Sequence, residues 1–329
     1  MARRVSMADV AEAAGVSGQT VSRVVNDSPR VDPATRARVE AAMARLGYRP
    51  HRAARALRTG RTQTVGLVAS TLATVGNSRM LQAVADAAAA RGYALVVVTL
   101  GAADPDIASA FERLHDQGVD GAIVLNEATD LVRDAATPAD FALVVVDSAA
   151  DDRFGVVVTD HVGGAHAATA HLLGLGHATV HHVAGPEGSF AAAERERGWR
   201  EALAAAGAEA SAPLRGDWSA ASGHAAGLAL PADATAVFAA NDQMALGLLR
   251  ALADEGRAAP SVSVVGFDDV ADAADYRPPL TTVRQDFDRL GERAIELLIG
   301  RIDGARDDAA YEAVGAQLVV RESTARPAK

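Results

Sequence analysis

Gln19, Arg23 and Asn26 follow one another at i, i+4 and i+7, the spacing that puts three planar hydrogen-bonding side chains on one face of a helix. Glutamine matches the adenine edge and arginine the guanine edge in the major groove, each through two parallel hydrogen bonds, so the chemistry on offer is base reading. A second polar set follows apolar runs further on: Asn126, Asp147, Asp160, Asn241-Asp242 and Asp268-Asp269. Carboxylates and amides at the ends of buried strands, with arginine and an aromatic ring nearby, suit sugar hydroxyls and the apolar face of a pyranose. Other groupings carry less. His161, His166 and His171 recur every five residues, which walks around a helix and makes no metal face. His181 and His182 are neighbours on a strand and point to opposite faces. Gly174-Leu175-Gly176-His177 follows a helix, so it reads as a helix C-cap and not as a phosphate loop. Asp268-Asp269 has no nucleophile, base or metal cluster beside it. No catalytic residue, metal site or cofactor is expected.

The base-reading trio needs a short, exposed helix to carry it. Ser6 caps a first helix whose Met7, Val10, Ala11 and Ala14 form an apolar stripe, and Gly15 ends it. After a tight turn Ser17 is the next cap, and a second helix from Gly18 buries Val21, Val24 and Val25 while turning Gln19, Arg23 and Asn26 outward. Asp32-Pro33 starts a third helix, which carries Val39, Met43 and Leu46 and stops at Gly47. Two helices across a tight turn make a helix-turn-helix, with the second helix placed to enter the major groove. A small Ala-rich bundle would share this geometry. After Pro50 comes His51-Arg52-Ala53-Ala54-Arg55-Ala56-Leu57-Arg58-Thr59-Gly60, too short to be helical alone, since isolated helices below about 12 residues are marginal in water. Its arginines can meet phosphates, and Leu57 has no obvious core to fill; a plain linker is the bland alternative.

Charge divides the chain the same way. Residues 1–61 hold 12 Arg against 5 acidic residues, a balance of +7, while the remainder holds 20 basic against 37 acidic, or −17. A cationic head on an anionic body lets only the head approach a polyanion. The only lysine is Lys329, so almost all positive charge sits on forked guanidinium groups. With no cysteine, thiolate chemistry and disulfides are excluded. The start of the chain lacks the apolar stretch of a secretory signal and no run is long enough to span a bilayer, so a cytoplasmic protein without a membrane partner is expected.

From Thr64 onward, apolar runs at Val65–Ala69, Ala94–Val98, Gly121–Leu125, Leu143–Val146, Val180–Ala184, Ala236–Ala239 and Val262–Gly266 are separated by segments of helix length. Continuous apolar strands alternating with helices predict parallel sheets covered on both faces, with ligands beyond the carboxyl ends of the strands.

Particular runs of residues go further. Val16-Ser17-Gly18-Gln19-Thr20-Val21-Ser22-Arg23-Val24-Val25-Asn26, then Thr35-Arg36 and Gly47-Tyr48-Arg49-Pro50, closely resemble the headpiece of the lactose-repressor (LacI/GalR) family of regulators. Arg195-Glu196-Arg197-Gly198-Trp199, Gly216-Asp217-Trp218-Ser219, the segment Ala240–Gly247, Gly266-Phe267-Asp268-Asp269 and the segment Pro278–Phe287 resemble that family's effector-binding core.

The resemblance implies a helix-turn-helix headpiece over residues 1–49, a hinge helix over 50–61 and a two-lobed, periplasmic-binding-protein-like α/β core with parallel sheets over 62–329. Its N-lobe would hold about 62–159 and 288–315, and its C-lobe about 160–287 and 316–329. Gly18, Gln19 and Arg23 would read bases; Ser6, Ser17, Ser22, Asn26, Arg30 and Thr35 would position the phosphate backbone. In the hinge, Arg52, Ala54 and Arg55 would contact DNA, and Leu57 would wedge into a minor-groove step at the centre of a double-stranded operator, paired with its copy in a homodimer. No leucine heptads that would build a tetramer follow at the C-terminal end.

The effector contacts carried over are Ser70, Asn126, Asp147, Arg195, Trp218, Asn241, Asp268, Gln285 and Phe287, with Arg195, Asn241 and Asp268 holding hydroxyls and Trp218 and Phe287 packing on the ring. Thr74 and Thr159 stand where the resemblance implies an apolar wall, which leaves the sugar open. The expected function is a repressor of carbohydrate-utilisation genes released by a galactoside or related saccharide. Its alternatives are a corepressor-dependent regulator of the same family, a sugar-binding transport protein, and a sugar-metabolising enzyme.

Overall fold

Ser6 opens the first helix, α1 (Met7–Ala14), through a reciprocal cap. The Asp9 N–H donates to Ser6 Oγ at 3.3 Å, and the Ser6 N–H donates to the Asp9 carboxylate at 2.7 Å. Gly15 closes α1 in the left-handed region at φ 65°, where a side chain would be strained. Ser17 begins α2 (Gly18–Val25) by accepting the Thr20 N–H, and Asp32 begins α3 (Pro33–Leu46) by accepting the Thr35 N–H at 2.9 Å. The three helices bury Val10, Ala11, Val21, Val24, Val39, Ala42 and Tyr48 against one another. Arg36 ties down the turn between α2 and α3 by donating to the Ser28 carbonyl at 2.8 Å.

The structure is a computed structural model that describes residues 5–25, 28–48, 60–100, 106–126, 128–134, 141–304 and 311–328. The chain forms two compact units, Met1–Gln63 and Thr64–Lys329, each taken by itself.

The larger unit is two lobes, each a six-stranded sheet between helices. In the first, β1 (Thr64–Ala69), β2 (Ala94–Thr99), β3 (Gly121–Leu125), β4 (Ala142–Val146), β5 (Gly155–Thr159) and β11 (Tyr311–Val314) lie in the order β11-β5-β4-β3-β1-β2, all parallel. Strand alternation sends Val65 and Leu67 to one face, against Met80 of α4 (Val75–Ala90) and Leu290 and Ile295 of α11 (Phe287–Ile302). Val68 goes to the other face, against Phe111 and Leu114 of α5 (Ile107–Asp116) and Val132 of α6 (Ala128–Asp134).

In the second lobe, β6 (His181–Ala184), β7 (Leu214–Arg215), β8 (Ala236–Ala239), β9 (Ser263–Asp268), β10 (Thr281–Arg284) and β12 (Gln317–Val319) lie in the order β12-β10-β9-β8-β6-β7. Here α7 (His161–Gly174) and α8 (Phe190–Ala206) cover one face; α9 (Ala220–Leu228) and α10 (Asp242–Asp254) cover the other. The expectation of parallel sheets needs one amendment, since β12 runs antiparallel to β10, pairing Thr282 with Val319. An edge strand reached by a short return from the other lobe has no crossover helix to make it parallel.

The chain passes between the lobes three times, between Thr159 and His161, between Arg284 and Phe287, and between Val314 and Gln317. All three passages leave the carboxyl end of a strand, so the strand ends of both sheets converge on the seam where ligands of such folds sit.

Candidate functional site

In the small unit, Ser17, Gly18, Gln19 and Arg23 are exposed along α2, opposite the buried Val21 and Val24. A Cβ at Gly18 would meet nothing within 4 Å, so the start of α2 is bare backbone that a partner can approach closely. Arg30 is exposed and Thr35 and Ser22 are half-buried. Several hydroxyls of this set are already engaged inside the chain: Ser6 Oγ donates to Asp9 at 2.8 Å, Ser17 Oγ accepts the Thr20 N–H at 3.1 Å, and Thr35 Oγ1 accepts from Arg38 at 3.3 Å. Asn26, Arg52, Ala54, Arg55 and Leu57 lie outside the described residues.

In the large unit a cleft lies on the seam, lined by Thr74, Gly76, Met80, Asn126, Asp147, Ala191, Arg195, Trp218, Asn241, Asp268, Gln285, Phe287 and Leu290. Eight of the nine residues singled out for the effector are among them. Ser70, the ninth, is not among the lining residues. It falls in the turn directly after β1, and the wall on that side is made instead by Thr74, Gly76 and Met80, because the loop carries the chain on to the first turns of α4.

Backbone conformation marks the same place. Among non-glycine residues, Asn126 (φ 45°), Asp147 (φ 57°), Trp218 (φ 73°), Asp268 (φ 114°) and Asp269 (φ 53°) sit at positive φ just past a strand or at its last residue. Asparagine and aspartate tolerate this region, but a tryptophan there is an outlier held by its surroundings. Gly185 provides part of that hold. A Cβ on it would fall 2.3 Å from the Trp218 ring, so the indole packs where only glycine leaves room.

The polar groups of the cleft close into a ring that crosses the seam. The Thr159 N–H donates to Asp147 Oδ1 at 3.1 Å, and Thr159 Oγ1 donates to Gln285 Oε1 at 2.7 Å. Gln285 Nε2 donates to Asp268 Oδ1 at 2.6 Å, and the Arg195 guanidinium lies 3.6 Å from the same oxygen. Arg195 Nε donates to His161 Nδ1 at 3.3 Å, which obliges the neutral imidazole to carry its proton on Nε2; that nitrogen faces Asp147 Oδ1 at 2.9 Å, off hydrogen-bonding alignment. Arg195 also donates to the Ala240 carbonyl and lies 3.9 Å over the Phe267 ring.

Charge on this ring is set by burial against pairing. Burial opposes the Asp147 carboxylate, but His161, the Thr159 N–H and Arg195 outweigh it and hold the group below its ordinary value. At Asp268 burial wins over Arg195 and Gln285, and the carboxyl is pushed up to about 6. Behind it, burial and then the Asp268 charge push the Asp242 carboxyl well above the usual range. Asp242 accepts the Val270 N–H at 2.9 Å and the Thr282 hydroxyl at 2.5 Å, which fixes the loop after β9. Asn241 caps α10 by accepting the Met244 N–H at 2.9 Å and donates to the Trp218 carbonyl at 3.1 Å.

Sequence reasoning missed His161 and Asn77 as parts of this site, and it placed Asp242 in the strand-end polar set without a role in the cleft. His161 follows Asp160 at a strand end, a signal that was available; Asn77, in the first turn of α4 between Gly76 and Ser78 and not at a strand end, gave none.

A helix-turn-helix unit followed by a two-lobed α/β unit with a polar cleft between its strand ends defines a class, the DNA-binding regulators of transcription. Residues 6–51 match the family described as bacterial regulatory proteins, lacI family, and residues 169–324 match a periplasmic binding protein-like domain. The chain is 34% identical to the lactose operon repressor of Escherichia coli K12, over 98% of this chain and 91% of that one. It is 37% identical to the HTH-type transcriptional regulator CelR of Thermobifida fusca, over 98% of each. Among solved structures it is similar to the lac repressor dimer bound to operator and the anti-inducer ONPF, with a TM-score of 0.84 and 34% identity, covering 98% of this chain and all of that one. It is also similar to the CelR–cellobiose complex, with a TM-score of 0.69 and 34% identity, covering 97% and 100%. The chain belongs to the lacI family: it is a DNA-binding transcriptional repressor and not an enzyme.

Proposed function

We propose that this protein is a cytoplasmic, dimeric repressor of carbohydrate-utilisation genes, released from its operator by a small saccharide, a galactoside or related sugar, bound in the seam cleft. The observation that carries the reading is the composition of that cleft. Arg195, Asn241 and Asp268 bring planar donors and acceptors to one side, while Trp218 and Phe287 bring aromatic walls, which is the pairing a pyranose calls for. Similar chains support the sugar class, since one solved relative holds cellobiose.

Dimerisation is supported by β2, the edge strand of the first sheet, where Val97 is 39% exposed, together with Leu246 at 42% on α10 and Leu228 at 53% on α9. A second copy would cover apolar surface and give the base-reading helices the two-fold symmetry of a palindromic operator. No helix among the described residues is long and apolar enough to cross a membrane.

Release follows from linkage. If closing the lobes around sugar disfavours the arrangement that grips DNA, operator affinity falls by the sugar's differential affinity for the two states. The reading is tested by calorimetric titration of the full-length protein with D-galactose, D-glucose, lactose and cellobiose, with duplex selection run on the same sample. Binding of at least one sugar and enrichment of a two-fold-symmetric duplex are expected; a protein that takes none of the four, or enriches no duplex, is not this repressor.

A further inference from the structure

Asn77 is fully buried in the first turn of α4, where its backbone N–H caps the helix by donating to Thr74 Oγ1 at 3.4 Å. The loop before it is folded back over that turn. Ser78 Oγ donates to the Leu72 carbonyl at 2.7 Å, the Ala73 N–H donates to Thr71 Oγ1 at 3.1 Å, and Asn77 Nδ2 donates to the Thr71 carbonyl at 2.9 Å. The bond to Thr71 sets the orientation of the Asn77 amide. A backbone carbonyl accepts and never donates, so Asn77 must turn its NH₂ to Thr71 and its oxygen away.

That oxygen faces Asn126, whose Nδ2 donates to it. Asn126 is a cleft residue, held at φ 45° just past β3. With its NH₂ committed to Asn77, its remaining polar atom is Oδ1, which is buried and has no donor among the described residues. A carbonyl oxygen buried without a donor is a costly arrangement in a folded chain.

We propose that Asn77 is a specificity-determining positioning residue. Through the fixed sequence from the Thr71 carbonyl to Asn77 to Asn126, it turns the unpaired Oδ1 of Asn126, an acceptor, away from itself and toward the ligand, so the effector must offer a hydroxyl hydrogen to that oxygen. This rests on the cleft being a saccharide site, and it narrows the saccharide. Sugars that are deoxygenated, O-methylated or fluorinated at the hydroxyl meeting Asn126 are rejected. A site built to hydrogen-bond a hydroxyl discriminates strongly against analogues lacking it, because the buried partner is then left unpaired.

Two measurements on the full-length protein test the assignment. In the first, the tightest binder among D-galactose, D-glucose, lactose and cellobiose is replaced by its single hydroxyl-to-fluorine analogues, in wild type and in Asn77→Leu. Fluorine does not donate. One position should lose tenfold or more in wild type and under threefold in Asn77→Leu, whose freed Asn126 amide can turn its NH₂ to the fluorine, with the other positions unchanged. A fluorine profile that is the same in both proteins, or one with no donor-dependent position in wild type, overturns the proposal.

The second measurement needs no ligand. The side-chain amide hydrogens of Asn126, followed by NMR, should exchange with solvent at least tenfold faster in Asn77→Leu than in wild type, and equal exchange overturns the fixed amide even if no sugar binds. Failure of all four sugars to bind would instead overturn the saccharide reading, leaving the exchange result to decide the amide. Should Asn77→Leu not fold, fast exchange of the Asn126 amide in wild type is sufficient to reject the assignment.

Discussion

Asp268 is the cleft residue at which burial and charge oppose one another. Its carboxyl accepts from Gln285, faces Arg195 and sits at about 6, above the ordinary 3.8, because burial disfavours the charge more than those partners favour it. The raised value means that the folded, sugar-free protein draws stability from protonated Asp268, fully present below pH 3.8 and lost as pH rises through about 6. A sugar that donates hydroxyls to Asp268 needs the opposite form. Effector affinity should therefore strengthen as pH rises from 5 to about 7 and then level off, with a proton released on binding near pH 6. Calorimetry in buffers of different ionisation enthalpy reads this directly, and an affinity flat from pH 5 to 7 would contradict it. At this scale the sequence was partly legible. Asn126, Asp147, Asn241 and Asp268 announce themselves as polar residues closing apolar runs. Thr159 and Asn77 do not, since their meaning lies in partners Gln285 and Asn126, which stand 126 and 49 residues away.

At the level of elements, α2 has one job and eight residues with which to do it. Its buried Val21 and Val24 fix the helix and leave Arg23 exposed, in position for the base reading proposed for it. Arg23→Ala should relax preference at one operator position by about 1–3 kcal/mol. A random-duplex selection that returns the same motif for the variant would refute that role. Leu57→Ala should weaken specific operator binding much more than non-specific binding, because a wedge acts only where the duplex is bent to receive it; equal losses in a mobility assay would argue for a plain linker. In the second lobe α9 and α10 touch through glycine, and a Cβ on Gly247 would fall 1.8 Å from the Ala220 carbonyl. Gly247→Ala should cost about 1–3 kcal/mol of stability, or more if the helices cannot part, seen as a lowered Tm.

The central strands were legible because both their faces are buried and their sequences are continuously apolar. Strands β11 and β12 were not, since as half-exposed edge strands they show no such run. Nor does periodicity record that the chain returns to the first sheet at Tyr311 and leaves it again by Gln317.

On the scale of the whole molecule, a head carrying +7 and a body carrying −17 confine DNA binding to the first 61 residues, while the cleft lies in the acidic remainder. Polar groups on both sides of the seam hold one another in its ring, from Asp147 and Thr159 in the first lobe to Arg195 and Asp268 in the second. In the proposed repressor a ligand that inserts its hydroxyls there changes what holds the lobes together, and linkage is reciprocal: if sugar weakens operator binding, operator weakens sugar binding by the same factor. The most direct test titrates the sugar identified by calorimetry into the preformed protein–operator complex at fixed salt. Operator affinity should fall by tenfold or more as the cleft fills, and an affinity that stays constant while calorimetry shows the sugar bound would contradict the account.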